Sequence, residues 1–173
     1  LRLALEANAP GLVRHLLQQQ DSDLPPDEFK DLQADPQTFI DTADLSARDQ
    51  PELAAYAYGR WARTDLLAAS EQLTAAAAPL AEQAAVAWRQ VALAAARRFD
   101  SQTEVYFQRS EAAFWPDNHR EIRLRLCVRA GDWVLYQKLY QQLPAALQDS
   151  RPWLYWQGVA SAELGKAKAA GYL

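Results

Sequence analysis

Apolar residues recur along the chain at helical spacing. Trp153, Trp156, Ala160 and Leu164 fall at i, i+3, i+7 and i+11, one face of a helix. Trp133, Tyr136, Tyr140 and Leu143 repeat the pattern one segment earlier, with Leu139 beside them. Leu53, Tyr56, Ala57 and Trp61 make a third stripe, and Ala84, Trp88, Val91 and Ala95 a fourth. No sustained run of alternating β-branched residues occurs, and no Asn-Gly or Asp-Gly pair signals a hairpin between strands. The pattern predicts an all-α chain.

Punctuation sharpens the helix boundaries. Pro36, Pro51 and Pro152 stand where a first helical turn would begin, and a missing N–H costs nothing there. Pro79 and Pro144 are expected to separate adjacent helical runs. Asp21 to Asp49, with Pro25-Pro26 and many acids, reads as two short helices and loops. Asp recurs between helical runs in Ala34-Asp35-Pro36, Thr64-Asp65-Leu66, Phe99-Asp100-Ser101 and Gly131-Asp132-Trp133, at intervals of 30, 35 and 32 residues. Its carboxylate suits an N-cap, where it accepts free N–H groups and sits at the positive helix end. A further turn is expected near Gly165-Lys166. Two helices in a period of low thirties describe a helix-hairpin repeat. The tetratricopeptide consensus is not met, so the repeats are divergent. The architecture expected is a right-handed α-superhelix of divergent helix hairpins, a TPR-like solenoid, forming one domain over 1–173. Gly59 and Gly158 lie inside predicted helices, where a close neighbouring helix would explain them. The alanine runs Ala75–Ala78 and Ala94–Ala96 suggest thin, closely packed helices.

Composition narrows the function. Ala supplies 34 of the 173 residues and half the chain is apolar, enough for a sizeable core and too much for disorder. A formal charge of −4 argues against a general nucleic-acid binder, which needs clustered Lys and Arg. No apolar run is long enough to span a membrane. The sequence contains no Met and starts at Leu1, within a helix-like Leu1-Arg2-Leu3-Ala4-Leu5, so it is expected to be processed or a piece of a longer chain. The ending Ala169 to Leu173 is not a convincing helix stop and points the same way.

Chemistry is sparse. One Cys excludes an internal disulfide, and Cys127 between Leu126 and Val128 reads as a small buried hydrophobe. His15 and His119 have no partners at metal-ligand spacing, and His119 reads as a surface residue near a helix start; no metal or other cofactor is expected. Asp27-Glu28 and the scattered acids offer no carboxylate pair on a rigid cleft, so no catalytic residue is assigned. Trp115, Trp133, Trp153, Tyr155 and Trp156 could stack on sugar rings, but the Trp stripe marks the core face and only Tyr155 points elsewhere. Arg120, Arg123, Arg125 and Arg129 gather charge on one helix. Arg125 and Arg129 share a face, and Glu121 stands one turn before Arg125. Arg125, Arg129 and Tyr155 are the candidate contacts for a ligand or a neighbouring domain.

Two segments carry a family resemblance. Arg123-Leu124-Arg125-Leu126 leads into Arg129-Ala130-Gly131-Asp132-Trp133. Leu143-Pro144 then leads into Arg151-Pro152-Trp153-Leu154-Tyr155-Trp156, Ala160 and Glu163-Leu164-Gly165. This order resembles the superhelical U-domain of soluble lytic transglycosylases, and Ala57 to Asp65 resembles an earlier repeat of it. The resemblance covers residues 34–173; residues 1–33 carry no such mark. It implies a bacterial periplasmic parent enzyme that cleaves peptidoglycan between N-acetylmuramic acid and N-acetylglucosamine, leaving a 1,6-anhydro end. The family's catalytic Glu lies in a separate lysozyme-like domain with a Glu-Ser pair and a Gly-Leu-Met-Gln segment. Neither motif occurs in this chain. The implied role is therefore a non-catalytic scaffold whose partners are the glycan strand and the parent's own catalytic domain. The alternative is a general helical-repeat module that binds a peptide or partner helix.

Overall fold

The computed structural model describes residues 4–5, 10–19, 26–42 and 50–169. All regular structure among them is helical. The helices are α1 (Pro10–Gln19), α2 (Pro26–Ala34), α3 (Pro36–Thr42), α4 (Gln50–Trp61), α5 (Leu66–Arg98), α6 (Thr103–Arg109), α7 (Asp117–Ala130), α8 (Trp133–Tyr140), α9 (Ala145–Gln148) and α10 (Arg151–Ala169). They pack into two compact units, residues 1–114 and 115–173.

The stripes on α4 and α5 turn fully inward, while those around Trp133 and Trp153 are buried at Tyr136, Tyr140, Leu143, Trp153 and Ala160 and half-buried at Trp133, Trp156 and Leu164. Leu53, Tyr56, Ala57 and Trp61 are buried on α4, and Ala84, Trp88, Val91 and Ala95 on α5. In the first unit Val13, Phe29, Leu32, Leu53, Tyr56 and Ala57 share one core cluster, with Leu16, Phe39 and Ile40 at its margin. α2 and α3 are the two short helices expected between Asp21 and Asp49; the rest of that segment lies outside the described residues. The Leu1–Leu5 helix is described only at Ala4 and Leu5, both helical and buried. The ending after Ala169 also lies outside.

α5 is helical from end to end, yet it cannot be straight. Its 33 residues would span ~50 Å as a rod at ~1.5 Å per residue. Its first and last turns nevertheless line one groove, and Arg98 donates to the Arg63 carbonyl just before it starts. Tyr106 on α6 hydrogen-bonds Ser70 Oγ at 3.3 Å while its ring stacks on Trp88 at 5.7 Å. Arg109 donates to Thr74 Oγ1 at 2.8 Å and lies 4.6 Å from the Trp88 ring centroid. The chain must therefore double back between Thr74 and Trp88, a stretch that contains Pro79. Pro79, expected to separate two helical runs, instead lies inside one helical element, Leu66–Arg98, where it can donate no backbone N–H.

The aspartates cap as their spacing predicts, with one difference. Asp35 accepts from Thr38 N and Oγ1, Asp65 from Ala68 N and Asp132 from Leu135 N. The Thr38 backbone bond, then its hydroxyl, holds the Asp35 carboxyl below its usual value. Asp100 instead accepts from Gln102 N in a turn, two residues before α6 is capped at Gln102. The Phe99 and Gly131 turns are nevertheless one motif. Each has a left-handed residue, at φ 54° and 70°, and each following Asp donates its N–H to a carbonyl five residues back, Ala95 or Cys127. That conformation is free for Gly131 but costs Phe99 ~1 kcal/mol. Phe99→Gly should raise the stability of the chain by about that amount, read as a higher midpoint in urea unfolding.

Two expectations about glycine fail. Gly165 does not begin a turn, because α10 continues through it to Ala169: Glu163, Lys166 and Ala167 are compatible with helix and no proline follows. Gly158 does not admit a neighbouring helix, since a Cβ there would meet nothing within 4 Å. Gly59 does, since its Cβ would stand 2.8 Å from Gln90 Cβ on α5. Residues Ala94–Ala96 are buried as the thin-helix reading expects, whereas Ala75 is exposed.

Candidate functional site

The second unit contains all three residues singled out from sequence. Arg120 ties the start of α7 to the end of α8 by donating to the Trp115 carbonyl at 3.0 Å and the Gln142 carbonyl at 2.8 Å. α7 and α8 therefore run antiparallel across the Gly131-Asp132 turn. On α10, Trp156 stacks on Trp133 at 6.4 Å and Trp153 packs on Tyr136 at 6.5 Å, so α10 is antiparallel to α8. Leu124, Cys127, Tyr136, Tyr140, Leu143, Trp153 and Ala160 close the core. Pro144 separates α8 from the short α9, and Gln148 Nε2 donates to the Leu143 carbonyl at 2.8 Å across that turn.

Tyr136 is wholly buried and donates its phenol to the Trp153 carbonyl at 3.3 Å. Burial first, then the neighbouring Tyr140 and Cys127, push its pKa up to about 12. The unfolded chain ionises this phenol near 10, so between about 10 and 12 the unfolded state alone loses the proton. Stability conferred by the neutral phenol is thus complete below pH 10 and declines as pH rises towards 12. An alkaline titration followed by phenolate absorbance should show late-ionising tyrosine, part of it from Tyr58, whose pKa burial also pushes up, and Tyr136→Phe should remove the component that ionises near 12. Cys127 is buried in this core, as expected.

Arg125 pairs with Glu121 at 2.8 Å, and its guanidinium lies 5.8 Å from the Trp153 ring. Its side chain remains 64 % exposed. Such a solvated pair contributes under ~1 kcal/mol, so its charge stays available to a ligand. Arg129 is exposed one turn further along α7. Tyr155 is 65 % exposed, its ring edge-on to Trp156 at 5.1 Å. Two residues apart on α10, Trp153 and Tyr155 point to opposite sides of the helix. Arg125 reaches the Trp153 side, so the structure collects Arg125 and Arg129 on one face but does not bring Tyr155 to them. Of the tempting tryptophans, Trp153 is buried and Trp115, Trp133 and Trp156 are half-buried. His119, expected at the surface, is half-buried because its ring meets Trp115 edge-on at 6.2 Å. His15 is exposed.

The first unit holds a concave feature that sequence reading passed over. Where the start of α5, its last turn and the Asp100–Gln102 turn meet, a groove of about 360 Å³ opens. Tyr106 and Leu66, both buried, form its floor; Asp65, Asp100, Arg98 and Gln102 stand around it. The one available signal was the Asp repeat, which places Asp65 and Asp100 at corresponding hairpin ends. Among the described residues no three His, Cys, Asp or Glu side chains gather as a metal site. No described helix is long and apolar enough to cross a membrane.

Compared with models of known protein families, with curated proteins and with solved structures, the chain matches none.

Proposed function

We propose that this chain is a non-catalytic scaffold domain of a periplasmic peptidoglycan lytic transglycosylase, one that positions the glycan strand and the parent's catalytic domain. The observation that carries the reading is the run from Arg129 to Trp156. Its Gly-Asp-Trp turn, Leu-Pro turn and Trp-Leu-Tyr-Trp helix resemble that family in order, and here they build one core through the Trp133–Trp156 and Tyr136–Trp153 contacts. Exposed Arg125 and Arg129 suit the carboxylates of stem peptides, and exposed Tyr155 offers a ring on which a sugar can stack. In this reading the domain is a superhelix of hairpins with an extended surface for a polymer.

The decisive test is to read the parent gene beyond Leu173. A lysozyme-like segment with a Glu-Ser pair and Gly-Leu-Met-Gln supports the proposal; a frame that ends or enters unrelated sequence overturns it. The purified chain is also expected to sediment with insoluble peptidoglycan without releasing anhydro-muropeptides, and Arg125→Glu/Arg129→Glu should lower the pelleted fraction several-fold. The second reading, a helical-repeat module for a protein partner, is favoured by one observation: Leu154 and Tyr155 together leave an apolar strip exposed on α10.

A further inference from the structure

We infer that the groove between the turns at Asp65 and Asp100 is a binding site for a neutral, hydroxyl-rich ring, a pyranose of a glycan. At about 360 Å³ it has the capacity of a small-molecule site.

The unused hydrogen-bonding groups define the ligand. Asp65 spends one carboxylate oxygen on Ala68 N, and Asp100 spends one on Gln102 N. The second oxygen of each has no intramolecular partner among the described residues. Thr64 donates its hydroxyl proton to the Trp61 carbonyl, so its oxygen can only accept further. Gln102 and Ser101 are exposed and can both donate and accept. Arg98 commits part of its guanidinium to the Arg63 carbonyl and keeps its remaining N–H groups as donors. Acceptors therefore predominate, with donors at one side, above an apolar floor of Tyr106 and Leu66. A ring whose hydroxyls both donate and accept, and whose C–H face is apolar, uses every one of these groups.

Charge excludes the alternatives. A phosphate or carboxylate would meet two carboxylates. An ammonium group would meet the Arg98 guanidinium at the groove edge. The positive end of α5 adds to that charge. Two acids opposed by Arg98 and a helix terminus leave a field close to balanced, which favours an uncharged polar ligand.

The choice of a sugar over another polyol rests on the function proposed above. The test uses the whole chain, isotope-labelled, titrated with a soluble β-1,4-linked N-acetylglucosamine tetramer and followed by amide NMR. The Ser101 and Gln102 amides and the Gln102 side-chain NH₂ are expected to shift. Asp65→Asn/Asp100→Asn keeps an oxygen for each turn bond, and so keeps the fold, but should weaken binding about tenfold through loss of two charge-assisted bonds. Unmoved groove resonances, or equal affinity in the double variant, would overturn the site. Sedimentation with insoluble peptidoglycan, run on both proteins, separates the two ideas. If both pellet equally and the groove resonances do not move with the tetramer, the groove is not the sugar site and the scaffold reading stands. If neither pellets while the tetramer still binds at the groove and is lost in the variant, the site stands and the scaffold reading falls.

Discussion

Trp153→Ala is expected to cost the second unit about 3–5 kcal/mol, the range for removing a buried tryptophan without collapse of the site. Trp153 is 4 % exposed and sits where three elements meet. Tyr136 of α8 packs on its ring and donates to its carbonyl, Arg125 of α7 covers its outer side, and Ala160 lies in the same cluster on α10. No neighbour can fill the void, because Ala160 is short and Tyr136 is fixed by its own hydrogen bond. A core this small gives only marginal stability, so the loss is comparable with the whole folding free energy of the unit. Amide exchange protection over α7, α8 and α10 should fall sharply. Tyr155→Ala, two residues away on the same helix but exposed, should change stability by no more than ~0.5 kcal/mol. If both variants behave alike, the inward stripe on α10 has been assigned to the wrong side.

That contrast shows what a sequence of this kind reveals. The periodicity of Trp153, Trp156, Ala160 and Leu164 located the buried side of α10 because burial of a helix is a property of its own residues. The capping roles of Asp35, Asp65 and Asp132 were equally local, each carboxylate bonding an N–H three residues on. Features that depend on distant segments were not legible. The groove in the first unit exists only because α5 doubles back and returns Arg98 to the turn at Thr64. Read one at a time, Asp65 and Asp100 are caps, and nothing in their spacing shows that both line one groove. The separation of Arg125 from Tyr155 was likewise hidden, since it depends on which side of α10 meets α7. Gly165 misled for a different reason. Glycine ends a helix only when the following residues cannot continue it, and Lys166 and Ala167 can.

The two interior glycines make the clearest pair, because sequence treats them alike and the structure does not. Gly59→Leu is expected to destabilise the first unit by about 3 kcal/mol, the upper part of the usual cost of overpacking. Even a methyl at Gly59 would stand 2.8 Å from Gln90 Cβ. That atom is fixed to the α5 backbone and cannot swing away as the end of a side chain could, so relief requires α4 and α5 to separate. Separation would open the buried seam that Trp61, Ala62, Val91 and Ala92 close. Gly158→Ala should do the opposite and stabilise the chain by ~1 kcal/mol, since helix propensity improves and the new methyl meets nothing within 4 Å. Gly59→Ala falls between them, gaining the same propensity but losing more to the clash. Urea midpoints for the three variants should therefore order as Gly158→Ala above the unmodified chain, then Gly59→Ala, then Gly59→Leu. Equal midpoints for the two alanine variants would mean that α4 and α5 do not approach as closely as 2.8 Å implies.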